Sequence, residues 1–322
     1  MAVMSRTVLP SGLPVDAVAA PAAPARSAVA GMFAGALAMV FVGGSVAVSG
    51  VLSGSPLFTA QALRYAAACL LLLAAARVTR QRLVLPRGTE WVWLLGVAVT
   101  GLVVFNLALV EGSQHAEPAV LGVAVACVPL ILAVVAPLMD RDRPSPVVLL
   151  AALVVTCGAA LVVGVGRSDL AGLAWAVVVL GCEAGFTLLA VPVLGRHGPW
   201  GVSVHTTWLA AVAFAGIGLI LEGPSATARL TGEDLLAVAY LAVAVTAVAF
   251  VLWYSSVRRL GAALTGLLTG VAPVAAAAAG VALGGPAPRP LVWLGVAVVA
   301  SGLALGLPAS RRPRPRAPDH DQ

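Results

Sequence analysis

The chain has 322 residues, 61% of them apolar and 10% charged, with a mean hydropathy of +1.03. A soluble domain runs at about 45–50% apolar and about 25% charged, so the composition excludes a soluble enzyme, a nucleic-acid-binding module and a disordered chain, and points to a polytopic helical membrane protein. All 19 basic residues are Arg, which leaves neither a Walker A lysine for ATP hydrolysis nor a Schiff-base lysine, and the net charge of +6 has to be explained by where the arginines lie.

Residues 1–27 carry Pro10, Pro14, Pro21 and Pro24 without a helical period and read as a disordered tail. A cleaved leader is not expected, because the first long apolar run begins near Ala28 and is long enough to span. Ten apolar runs follow, over 28–49, 57–76, 91–110, 118–138, 147–165, 170–193, 201–221, 235–254, 261–283 and 291–308, and a basic tail closes the chain over 309–322. In lipid the backbone must satisfy its own hydrogen bonds, so continuous runs of this kind are helices, and a β-barrel, which alternates, is excluded. The expected fold is therefore an all-α polytopic membrane protein with ten transmembrane helices. Cys69, Cys127, Cys157 and Cys182 all fall inside apolar runs and read as buried small hydrophobes.

The arginines set the orientation. With the N-terminus inside, the inner segments hold Arg6, Arg26, Arg77, Arg80, Arg82, Arg87, Arg141, Arg143, Arg196, Arg258, Arg259, Arg311, Arg312, Arg314 and Arg316, against Arg167, Arg229 and Arg289 outside and Arg64 within a span. A split of 15 to 3 predicts a cell-membrane protein with both termini cytoplasmic, in contact with anionic lipid.

Shifting the sequence by 144 residues places Gly122 on Gly266, Pro129 on Pro273, Pro144 on Pro288, Pro146 on Pro290 and Gly158 on Gly302. Spans 1–5 and 6–10 are thus two copies of one unit, over residues 28–165 and 166–308. Five is odd, so the copies run in opposite orientation, a recurrent plan of secondary transporters with the solute site near mid-membrane.

Over residues 28–308 the pattern resembles the EamA-type members of the drug/metabolite transporter superfamily. Gly44-Ser45 resembles the family's WGS element, with Gly43 in place of the Trp; Arg64 sits where its second span carries Arg; Pro129 and Pro273 resemble its Pro-containing fourth and ninth helices. Asp140 stands near the family's acidic residue after the fourth helix, and Gly284-Gly285 replaces the one expected after the ninth. The resemblance implies export or exchange of a small metabolite, amino acid or drug-like solute, and places the Arg64 helix away from the main cavity.

An ionisable side chain inside lipid is a functional candidate, and Glu183 and Arg64 qualify. Glu183 points away from Gly181 and Gly185 and shares its face with Phe186 and Thr187; it either exchanges a proton, meets a cationic substrate group, or bonds to a neighbouring helix. Arg64, with Gln61 on its face, either holds a substrate carboxylate or gate, or anchors to carbonyls or snorkels outward; it is not expected to pair with Glu183. Asn106 is placed within the membrane, at the head of a short polar connection whose Glu111, His115 and Glu117 form either an outer vestibule for cations or solvated loop charges; the pattern is too loose for a metal site. His205 and Tyr240 read as interfacial, as do Trp91, Trp93, Trp200, Trp253 and Trp293, while Trp175 and Trp208 lie deeper. The glycine pairs 31/35, 266/270, 280/284 and 302/306 argue for close helix packing or a homodimer contact. Mid-span Pro129 and Pro273 predict bent, cavity-lining helices.

These features predict a secondary transporter working by alternating access, with protons as the coupling ion through Glu183 and no cofactor. The alternatives are a non-transporting scaffold or sensor, against which the short Pro-rich tails count, and an integral membrane enzyme, for which no HExxH or GxSxG motif is present.

Overall fold

The computed structural model describes residues 25–49, 51–284, 287–306 and 308. The terminal tails and Gly285 fall outside the described residues. Ten helices follow one another: α1 (Ala25–Ser49), α2 (Leu57–Val78), α3 (Glu90–His115), α4 (Pro118–Met139), α5 (Pro146–Val163), α6 (Leu170–Leu188), α7 (Val191–Leu221), α8 (Gly232–Leu260), α9 (Ala262–Ala282) and α10 (Pro290–Gly306). Nine of the described helices are long and apolar enough to cross a membrane, and α10 is a shorter apolar helix. The protein is an all-α polytopic membrane protein built from two inverted five-helix repeats.

Helix starts follow local chemistry. α4, α5 and α10 begin on proline, whose fixed φ suits the first helical position and whose missing N–H costs nothing there. Asp169 caps α6 by accepting from the Gly172 N–H at 2.8 Å, and Thr231 and Asp234 form a reciprocal capping box at α8. The expected sixth span ran to residue 193, but α6 ends at Leu188 and α7 begins at Val191. Within α7 the chain kinks at Gly198, where φ is 63°, a left-handed angle that glycine adopts without steric cost. Pro199 follows it directly.

The shift of 144 residues is visible in three dimensions. In α4 the helix breaks at Cys127, two residues before Pro129; in α9 a 3₁₀ turn, Leu268–Gly270, precedes Pro273. Each proline lacks the N–H that would reach back to Val125 or Thr269. α3 is π-helical over Ala98–Val104 and α8 over Leu241–Val248, so the wide turns also coincide. α1 packs most closely on α8 and α9, as α6 does on α3 and α4, while α2 meets α7 and α5 meets α10. The α5–α10 crossing is reciprocal. A Cβ on Gly158 would lie 2.6 Å from the Val299 nitrogen and 2.9 Å from the Gly295 carbonyl; one on Gly302 would lie 2.9 Å from the Val155 nitrogen and 3.1 Å from the Ala151 carbonyl. These are the same contacts displaced by 144, as a two-fold axis in the membrane plane requires. Three of the four glycine pairs face neighbouring helices, whereas Gly280 and Gly284 meet nothing.

The main core cluster joins both halves, with Tyr65 and Leu94 from the first and Phe214, Trp253 and Tyr254 from the second.

Candidate functional site

The face at which α1 begins and α10 ends, here the terminal face, carries the two clefts nearest the helix breaks. One, of about 490 Å³, lies between the end of α4, the start of α5 and the start of α9, with Asp140, Asp142, Arg143 and Ser145 in its rim. A neighbour of about 220 Å³ shares Ala136, Asp140, Gly261 and Ala262 with it and reaches the ends of α6 and α8 at Leu188, Val257 and Arg258. A third cleft, of about 300 Å³, runs between α2 and α7 near the other face.

Below the second cleft the axis is filled with aromatic rings. Phe186 of α6 lies 4.9 Å from Phe250 and 5.1 Å from Tyr254 between ring centroids. The Tyr254 hydroxyl donates to the Phe186 carbonyl at 3.1 Å, and Trp253 Nε1 donates to Thr187 Oγ1 at 3.0 Å. Phe186 also presses on Gly101, where a Cβ would come within 2.6 Å of its ring. Trp253, expected at an interface, is buried at 3% exposure, because α8 continues to Leu260 and leaves it well inside the helix. Glu183 lies behind this plug, about 7 Å deeper than Leu188 at 1.5 Å per residue. It is half-buried and forms no hydrogen bond or ion pair among the described residues. Gly185 packs against Thr100, but a Cβ on Gly181 would meet nothing, so the close helix contact expected from that glycine pair forms at one of its two members.

A second polar cluster sits nearer the opposite face, between α2, α3 and α8. Arg64 Nε donates to Thr246 Oγ1 at 2.9 Å and Nη1 donates to Gln61 Oε1 at 3.3 Å; the guanidinium carbon stands 5.1 Å from the Tyr65 ring centre. Gln61 Nε2 donates to Asn106 Oδ1 at 2.5 Å, and Asn106 Nδ2 donates to the Tyr65 hydroxyl at 3.1 Å and to the Leu102 carbonyl at 2.6 Å. Leu102 belongs to the π segment of α3 and Thr246 to that of α8; such wide turns recur at functional sites. The arginine therefore neither snorkels nor anchors on carbonyls. The Arg64 helix, which the resemblance places away from the main cavity, contacts α3 and α8 through these bonds.

The remaining candidates separate from these two clusters. Gly43 lies against α9 so closely that a Cβ would collide with the Ala272 carbonyl, which explains why no Trp stands there. A Cβ on Gly44 would lie 2.8 Å from the Tyr240 hydroxyl, and Ser45 donates to the Val42 carbonyl at 2.6 Å. Residues 106–115 are helical, not a loop: α3 runs to His115 and the turn is Ala116–Glu117. The polar side chains there are exposed at a helix end, a pattern that mimics a loop in sequence. No group of three or more metal-ligating residues occurs among the described residues. Glu117 pairs with Arg167 at 2.8 Å and His115 bonds Asp169 at 3.0 Å, so of the vestibule alternative's three groups two face partners across the α5–α6 turn, while Glu111 is exposed. Arg167, by its side chain and then its backbone N–H, holds Glu117 below the usual carboxylate range; the Gly172 N–H and then His115 do the same for Asp169.

His205, expected at an interface, is buried in α7, with Nε2 2.9 Å from the Val84 carbonyl and Nδ1 accepting from Trp208 Nε1 at 3.4 Å. Beside it lies a pair of links that sequence reasoning missed. Glu90, at the start of α3, accepts from the Arg87 N–H at 2.8 Å and binds Arg196 and His197 of α7, just before its kink at Gly198. Asp234, at the start of α8, accepts from the Thr231 N–H at 2.8 Å and binds Ser55 of the α1–α2 link at 2.5 Å. The two acids are 144 residues apart, a signal already present in the repeat.

The EamA-like transporter family matches residues 29–164 and 170–307, one copy for each five-helix half. The chain is 26% identical over 249 residues to "Uncharacterized transporter YetK" of Bacillus subtilis (strain 168), covering 75% of this chain and 76% of that protein. A solved structure described as "Crystal structure of protein" shares the fold with a TM-score of 0.74 at 21% identity, over 88% of this chain and 98% of the other. With both of its inverted halves matched, the chain belongs to the EamA-like transporter family, within the drug/metabolite transporter superfamily.

Proposed function

We propose that this membrane transporter exports a small metabolite, amino acid or drug-like solute across the cell membrane by alternating access, without catalysing a reaction, and with both termini cytoplasmic. The orientation rests on the arginines: among the described residues ten lie in segments at the terminal face (Arg26, Arg77, Arg80, Arg82, Arg87, Arg141, Arg143, Arg196, Arg258, Arg259) against Arg167, Arg229 and Arg289 opposite. The observation that carries the reading is the paired break in α4 and α9, with two clefts at the terminal-face ends of α4, α6 and α8. Toward the opposite face the helix ends are tied to one another: Glu222 accepts from the Phe58 and Thr59 N–H groups at 2.9 and 2.8 Å, and Ser55 holds Asp234.

The solute enters past Asp140 and Arg258, and the Phe186–Phe250–Tyr254 plug divides that cleft from Glu183. Rocking about the Pro129 and Pro273 breaks opens the plug and loosens the opposite ties. Glu183 serves as the coupling group. An unpaired carboxylate within a span costs several kcal/mol, and a proton or a cationic solute group removes that cost, so its occupancy biases which face is open. Thr187, held by Trp253, fixes the plug, and Gly44 and Ser45 line the α1 side near Tyr240.

The test compares metabolites exported with and without overexpression, then follows the enriched solute into proteoliposomes under an imposed pH gradient. Wild type is expected to move it with gradient dependence, and Glu183→Gln to move it without. Flux that responds to the gradient equally in both removes Glu183 from coupling; no enriched solute and no flux overturns the transport reading.

A further inference from the structure

The structure assigns to Arg64 a binding site for the carboxylate of a small solute, on the opposite-face side of the axis between α2, α3 and α8. Arg64 follows the start of α2 by seven residues, about 10 Å into the helix at 1.5 Å per residue. A guanidinium at that depth is always charged, yet Arg64 forms no ion pair among the described residues. Its partners are a hydroxyl and an amide oxygen, both neutral, and only Nε and Nη1 use them. Arg64 is half-buried, and a cation within a span without a counter-charge is expensive and is retained where a ligand supplies the charge. The guanidinium fork matches a carboxylate in two parallel hydrogen bonds.

The internal repeat argues against a purely structural role. At the 144-residue shift Gln61 corresponds to His205 and Arg64 to Trp208. In α7 the same slot is filled by a neutral pair that satisfies itself, Trp208 donating to His205 and His205 meeting the Val84 carbonyl. The architecture therefore folds without a cation at this position, and the charge in α2 is additional to what the bundle needs. It is also held in place. Gln61 locks onto Asn106, which is fixed in turn by Tyr65 and Leu102, an arrangement that supports a binding group from behind. The flanking turns of α3 and α8 are both π-helical, which sets their side chains apart from an ordinary helical register.

This inference rests on the transport reading for the solute's route, but the two fail separately, because binding in detergent needs no flux. The full chain in neutral detergent is titrated with phenylacetate, phenylacetamide and sulfate at constant ionic strength, and thermal unfolding is followed by tryptophan fluorescence. Phenylacetate is expected to raise the unfolding temperature saturably, and the isosteric amide and sulfate are not. Arg64→Gln abolishes the phenylacetate shift while keeping its ligand-free unfolding temperature within a few degrees of wild type. Thr246→Val keeps the charge and weakens half-saturation by about threefold to tenfold, one hydrogen bond's worth. Should Arg64→Gln fail to fold, the amide contrast and Thr246→Val decide. Equal shifts from phenylacetate and the amide, an equal shift from sulfate, a shift retained in Arg64→Gln, or no shift from phenylacetate each overturn the assignment.

Discussion

The α2 slot and the α7 slot are the same place in the two copies of one unit, and they are filled in opposite ways. In α2 it holds Arg64, bonded to Thr246 and Gln61 and carrying a net charge; in α7 it holds Trp208, stacked edge-on against Trp91 at 6.1 Å and bonded to His205. Duplication supplies a scaffold that tolerates either solution, so the charge at one end of the axis is a specialisation and not a packing requirement. The acids Glu90 and Asp234 show the converse: both copies keep a carboxylate at the start of the third helix, but one ties to a cation and a histidine, the other to a serine.

The sharpest way to break the first comparison is to move the charge. Trp208→Arg places a guanidinium where the bundle has no Thr–Gln–Asn ladder to receive it. It should lower the yield of folded protein and cost several kcal/mol, far more than Arg64→Gln, as read by thermal unfolding in detergent. If Trp208→Arg folds as well as wild type, the α7 slot is not closed to charge and the argument from the repeat fails.

A smaller effect separates the ladder from its neighbours. Asn106→Leu removes the group that joins Gln61 to Tyr65 and leaves the Gln61 amide nitrogen and the Tyr65 hydroxyl without a partner; a loss of about 1–3 kcal/mol is expected, together with weaker phenylacetate binding. The position equivalent to Asn106 is Phe250, already apolar and part of the plug, so Phe250→Leu should alter unfolding without altering phenylacetate binding.

The smallest effect lies in the turns of the opposite face. Glu117 and Asp169 are held below the usual carboxylate range in the folded chain, so the stability they lend is present above the unfolded value of about 4 and is lost as pH falls through their folded values. Trypsin cleavage after Arg167 cannot be followed at such acidity, but backbone hydrogen exchange at Glu117 and Asp169 can. Its protection should decline at acid pH while that of α5 holds; protection lost equally in both would mean global unfolding.

Much of the fold was legible in the sequence, because each legible feature is local. Continuous apolar runs gave the spans, and the pairing of Pro129 with Pro273 gave the breaks. Glycines four apart marked contacts at 31/35, 266/270 and 302/306, although 280/284 shows that such spacing does not itself supply a partner. The candidate site was legible only as isolated residues. Arg64, Gln61 and Asn106 were each singled out, but nothing in the chain said that Asn106 would reach across to Gln61, because helix rotation decides that and both helices are apolar on most sides. The polar end of α3 read as a loop because a helix that emerges from lipid carries loop-like residues. The π segments left no sequence mark. The Glu90–Asp234 correspondence did, in the same shift that revealed the repeat.

The most direct test of the account concerns one position reached from two sides. Ala184, buried next to Glu183 at 3% exposure, is replaced by Cys in a chain whose four native cysteines have been removed, and a membrane-impermeant maleimide is applied to right-side-out and to inside-out vesicles. Alternating access predicts labelling from both sides. Labelling from one side only, or from neither, would contradict the claim that the two inverted halves open the axis to each face in turn.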